Sequence, residues 1–188
     1  LSGGEQLALI SDDGRLHFRN LDGAEIHPPR VLPPLARAGQ RSYGLTFSPD
    51  GQRFAYANGD VLRVIETDSM EVLFEESSSL PQFDWLDDTR LLYGFNGSVA
   101  APPWPAPGAW ILDFREVHSS TDPIPRTAFP EMCAPLAVSP DRRSFVLHRV
   151  EATDQSWARY LHVYAADGDY TTMPKPIYIL PGREYPGN

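Results

Sequence analysis

LTFSPDGQRFAYANGDVLRVIET, running from Leu45 to Thr67, is the stretch whose reading decides the fold. Two short alternating runs, Leu45-Thr46-Phe47 and Phe54-Ala55-Tyr56-Ala57, flank Ser48-Pro49-Asp50-Gly51. A third, Val61-Leu62-Arg63-Val64-Ile65, follows Asn58-Gly59-Asp60. Alternation with period two among β-branched and aromatic residues predicts strands, and the turn dipeptides at both breaks predict antiparallel hairpins. Pro49 presets φ at the first turn position, while Asp50-Gly51 and Asn58-Gly59 tolerate φ > 0.

The unit recurs. Ala137-Val138-Ser139-Pro140-Asp141-Arg142-Arg143-Ser144-Phe145-Val146-Leu147 repeats the strand, the SPD turn and the next strand. Phe83-Asp84-Trp85-Leu86-Asp87-Asp88-Thr89-Arg90-Leu91-Leu92-Tyr93 repeats it with LDD in place of SPD. Near the start, Leu7-Ala8-Leu9-Ile10, Asp13-Gly14 and Leu16-His17-Phe18 match only the second and third strands. A repeat of roughly 40–50 residues with about four strands predicts an all-β chain of four-stranded antiparallel blades, a β-propeller. About four blades are expected, at 5–34, 41–76, 80–129 and 134–180. No strand is visible before Leu7 to complete the first blade, and the tail Gly182–Asn188 is too short for a further one. The chain is therefore expected to be a segment of a larger ring.

The segments FSPDGQRFAY at 47–56 and VSPDRRSFVL at 138–147 resemble the TolB-type, WD-repeat-like propeller family. The chain departs from true WD repeats, since no Gly-His pair precedes a strand and no Trp-Asp dipeptide ends one. The resemblance implies a propeller that binds a protein or peptide. It also admits the propeller of a larger enzyme, such as a prolyl-oligopeptidase-like serine hydrolase, whose G-x-S-x-G segment this chain lacks. A lyase or glycosidase propeller is a weaker reading and requires charged groups along the central channel. Fold alone does not choose among these, because function resides in sites.

Composition narrows the choice. The net charge of −9 and singly scattered basic residues argue against nucleic acid. Arg142-Arg143 is the sole adjacent basic pair and falls in a turn. No apolar run approaches the ~18 residues of a membrane span. The single Cys133 cannot form an internal disulfide, which leaves the compartment open between cytoplasm and periplasm. The opening Leu1-Ser2-Gly3-Gly4 lacks Met, so a signal or whole domains are expected to have stood upstream.

Reactive chemistry is sparse. There is no G-x-S-x-G elbow, glycine-rich phosphate loop or H-E-x-x-H, so no catalytic residue, cofactor or metal is expected. His17, His27, His118, His148 and His162 share no ligand spacing, and Cys133 has no evident base. Asp12-Asp13, Asp87-Asp88 and Asp50 fall in turns, where Asp satisfies backbone N–H groups; a calcium site is the alternative. Asn96-Gly97-Ser98 fits a glycosylation sequon but also an ordinary Asn-Gly turn.

Topology then predicts a binding face. Turns between first and second strands, including 48–51 and 139–142, share one face with the third-to-fourth turns. The long excursions 33–42, 96–109, 118–133 and 151–159 are expected on the other. Trp104, Trp110 and Trp157 should gather on that rim with Arg126 and Arg159, residue types enriched in binding hot spots. The competing reading is that each Trp covers its own loop or blade edge.

Overall fold

The computed structural model describes residues 6–11, 14–32, 42–58, 61–77, 81–95, 108–129, 133–152, 156–168, 175–180 and 184–186. All regular structure among them is β, in four antiparallel sheets. The first holds β1 (Gln6–Ile10), β2 (Arg15–Asn20) and β3 (Glu25–Val31). The second holds β4 (Ser42–Phe47), β5 (Arg53–Asn58), β6 (Val61–Glu66) and β7 (Val72–Ser77). The third holds β8 (Pro81–Trp85), β9 (Arg90–Phe95), β10 (Ala109–Asp113) and β11 (Arg126–Ala128). The fourth holds β12 (Cys133–Val138), β13 (Ser144–Ala152), β14 (Ser156–Ala165) and β15 (Tyr178–Leu180). The short β16 (Glu184–Pro186) also joins β14. Within each sheet the strands follow chain order, as a meander.

Three apolar seams join the sheets in sequence. Leu16 and Phe18 of the first sheet meet Phe54, Tyr56 and Ile65 of the second. Ala55, Leu62 and Val64 of the second meet Leu91, Tyr93 and Leu112 of the third. Leu92, Ala109 and Ile111 of the third meet Phe145, Leu147 and Tyr164 of the fourth. Phe54 and Tyr56 thus face one neighbour and Ala55 the other, the strict consequence of side chains alternating along a strand. Strands β5, β6, β9 and β10 are buried on both faces because each face is covered, and Arg63 of β6 is the charged exception among their buried residues. Among the described residues no buried cluster joins the fourth sheet to the first.

The repeated turns are built identically. Ser48 Oγ accepts from Arg53 N–H at 3.0 Å and donates to Arg53 O and Asp50, while Asp50 accepts from Gln52 N–H. Ser139, Asp141, Arg143 and Ser144 reproduce every one of these bonds. Asp87 takes the place of Asp50, accepting from the N–H groups of Thr89 and Arg90, both at 2.8 Å.

The structure corrects two expectations about the long excursions, and it places Pro28 and Pro29 within β3. The strand tolerates them because it is an edge, and register shifts opposite Leu16–Arg19 absorb the missing donors. The span 151–159 is mostly ladder, with Val150↔Arg159, Glu151↔Ala158 and Ala152↔Trp157 in register. The span 118–133 is divided by β11, so 114–125 joins third to fourth strands and belongs with the short turns. Residues 33–41 and 96–107 of the other two excursions lie outside the described residues.

Candidate functional site

Trp110 is the second residue of β10, directly opposite Tyr93 of β9. Alternation turns both toward the second sheet, together with Leu112. Gly108 permits this placement: a Cβ there would stand 2.4 Å from the Trp110 ring. The indole therefore folds back over its own backbone and stacks on Tyr93, with centroids 5.4 Å apart and planes 30° from parallel. Phe74 of β7 closes on Tyr93 edge-on at 5.8 Å.

Arg126 completes the cluster from β11, opposite Leu112. Its guanidinium carbon lies 4.4 Å from the Trp110 centroid and 5.3 Å from that of Tyr93. Such cation–π contacts contribute about 0.5–2 kcal/mol, more where water is excluded. Glu76 of β7 holds it in place across the seam, accepting from Arg126 Nη1 at 3.2 Å and from the Tyr93 hydroxyl at 2.7 Å. Burial, with the Glu76 carboxylate alongside, pushes the Tyr93 hydroxyl well above the usual tyrosine range. The Arg126 side chain keeps 36% of its surface exposed. The cluster thus offers a fixed aromatic and guanidinium surface.

The structure therefore brings Trp110 and Arg126 together. Trp157 and Arg159 lie in β14, paired with Ala152 and Val150 of β13. Trp104 lies outside the described residues. Sequence reading missed Tyr93 and Glu76. Tyr93 was legible from the hairpin register that sets it against Trp110, but nothing local marks Glu76, which arrives from another sheet.

Several other polar side chains pair within the fold. His17 bridges Glu25 at 2.7 Å and Ser11 at 3.1 Å, and His162 is buried beside Tyr164. Arg63, also buried, donates to Tyr56 Oη at 2.9 Å and to Glu75 at 2.5 Å. Among the described residues no three His, Cys, Asp or Glu side chains converge as metal ligands. No helix there is long and apolar enough to cross a membrane.

Comparison with solved structures places this arrangement. The chain superimposes on a prolyl endopeptidase with TM-score 0.54 and 21% identity, over 89% of this chain and 25% of that one. The fold is that of a β-propeller. Weaker likenesses are to hydrazine synthase of Kuenenia stuttgartiensis (TM-score 0.48, 13% identity, 86% of this chain, 48% of that one). The WD40 domain of SCAP from fission yeast gives TM-score 0.44 and 10% identity, over 86% of this chain and 46% of that one. The propeller thus spans a quarter of the prolyl endopeptidase and just under half of the other two. No family model and no curated protein matches the sequence.

Proposed function

We propose that this propeller is a non-enzymatic binding and scaffold module, TolB-like in its SPDG turns, that recognises a protein or peptide from its loop-rich face. The observation carrying this reading is the Trp110–Arg126 pair, pre-set at 4.4 Å and half exposed at the mouth of the seam between second and third sheets. Trp, Tyr and Arg are the residue types that dominate binding energies, and fixing them beforehand lowers the entropy lost on association. Trp104, Trp157 and Arg159 extend the proposed surface.

The test is a peptide-array selection with the purified chain, followed by affinity measurement on Arg126→Ala and Arg126→Lys. Each loses roughly 1–2 kcal/mol of binding, compared at matched folded fraction, if the guanidinium is an anchor. Equal affinities in wild type and both variants, or loss of thermal stability alone, would retire the surface.

A second reading is the propeller domain of a larger hydrolase of the prolyl-oligopeptidase kind. The likeness to the prolyl endopeptidase supports it, at an identity that speaks for fold alone. The full open reading frame of the parent gene separates the two: a G-x-S-x-G segment in it favours the enzyme, and its absence favours the binding module.

A further inference from the structure

Between the turn ends of the third and fourth sheets lies a cavity of about 740 Å³. It is lined by the β8–β9 turn, by β10 and β11 with the segment that joins them, and by the turn after β14. Its charged lining is Asp87, Arg90, Asp113, Arg115, Glu116 and Asp167. Four carboxylates thus face two guanidinium groups.

Both guanidinium groups are already engaged. Arg90 Nη2 meets Asp87 Oδ2 at 2.7 Å, and Arg115 Nε donates to Asp113 Oδ2 at 2.8 Å. Glu116 and Asp167 form no ion pair among the described residues. The cleft therefore keeps a surplus of negative charge in a concave space, where low-dielectric walls concentrate the field. An anion would have to displace an existing carboxylate from Arg90 or Arg115. A bare metal ion finds no set of three converging ligands.

The volume falls within the range of sites that hold small organic molecules. Pro125 adds an exposed apolar surface beside the carboxylates, and the buried Ile111 contributes to the lining from the core. Together these features suit a charged head on an apolar stem. We propose that this cleft binds an organic cation, a guanidinium or primary ammonium on an alkyl stem. An arginine side chain of a peptide and a free polyamine carry the same chemistry.

Calorimetric titration of the 188-residue chain at low salt with acetyl-Gly-Arg-Gly-amide, its citrulline isostere and spermidine tests the proposal. At least one cation binds, the citrulline peptide binds about tenfold more weakly than the arginine peptide where that is the ligand, and raising salt weakens binding. Glu116→Gln/Asp167→Asn weakens the cation about tenfold, as expected for two partly screened charges. Binding of the arginine peptide without spermidine assigns the site to peptides; spermidine alone assigns it to free amines. Both carboxylates are exposed, and a melting curve on each single variant verifies that the fold is kept. Silence of both cations, citrulline binding as tightly as arginine, or indifference to the double substitution would overturn it. Because Arg126 projects to the side of the third sheet that faces the second, away from its cleft-lining neighbours Pro125 and Thr127, Arg126→Ala leaves this binding unchanged, and either proposal can fail alone.

Discussion

Arg142 donates from Nη1 to the backbone carbonyl of Trp85, tying the SPD turn of the fourth sheet to the last strand residue of β8. It does so from a left-handed backbone, φ 56°, at the turn position where the second sheet has Gly51 with φ 71°. A residue with a Cβ costs about 1–2 kcal/mol there. The strain is accepted because the side chain reaches across the seam, with Asp84 also 3.9 Å away. Arg53, the first residue of β5, also reaches a neighbouring sheet, donating to Asp88 O at 3.4 Å.

Two substitutions at this turn separate strain from bonding. Arg142→Ala keeps the strained backbone and loses the inter-sheet bond, so stability falls by about 1–2 kcal/mol. Arg142→Gly also loses the bond but relieves the backbone, and should lie within about 1 kcal/mol of wild type. Urea midpoints of the three proteins check the order. Equal losses in Ala and Gly would show that the left-handed turn carries no cost.

Trp85 is fully buried and donates its indole N–H to Thr46 O, 3.2 Å away in the second sheet. Trp85→Phe leaves most of the ring volume but removes this bond between the sheets. A loss of about 1–2 kcal/mol is expected from the missing hydrogen bond and the smaller ring. Chemical denaturation measures it, and a change below about 0.5 kcal/mol would mean the bond contributes little to stability.

Gly108→Ala drives a methyl into the Trp110 ring. Because the indole cannot move toward Tyr93 without disturbing the stack, it must swing outward and release Arg126. The expected result is a loss of about 1–3 kcal/mol with altered near-ultraviolet circular dichroism. Retention of the wild-type spectrum would show that the ring has room the structure denies it.

Asp87 answers to pH. Burial alone would raise its carboxyl, but bonds from the Thr89 and Arg90 backbone N–H groups and the Arg90 guanidinium outweigh this and hold it below the usual range. A depressed folded-state value means stability that is present above the unfolded value near 3.9 and lost as pH falls through the folded one. The difference between wild type and Asp87→Ala should be about 1 kcal/mol at pH 7, comparable to loss of a turn cap. It should shrink as pH falls below about 4. Denaturation at several pH values tests this, and a difference constant across that window would exclude the carboxylate charge as its source.

What the sequence by itself determined is local. The SPD and LDD turns follow from residues within five positions of one another, so Ser48 and Ser139 make the same bonds in two sheets. Period-two alternation likewise sets which face each strand residue takes, and with it the all-β meander. The tertiary structure decided what lies across the seams. Glu76 reaches Arg126 from 50 positions away, and Arg142 reaches Trp85 from 57, distances over which no local pattern carries register. It also decided that Trp157 lies in a ladder and not in a loop, because β16 supplies a partner for a segment whose own composition reads as irregular. The cleft between Asp113 and Asp167 has the same origin: its walls come from two sheets, and only their packing brings the charges to one space.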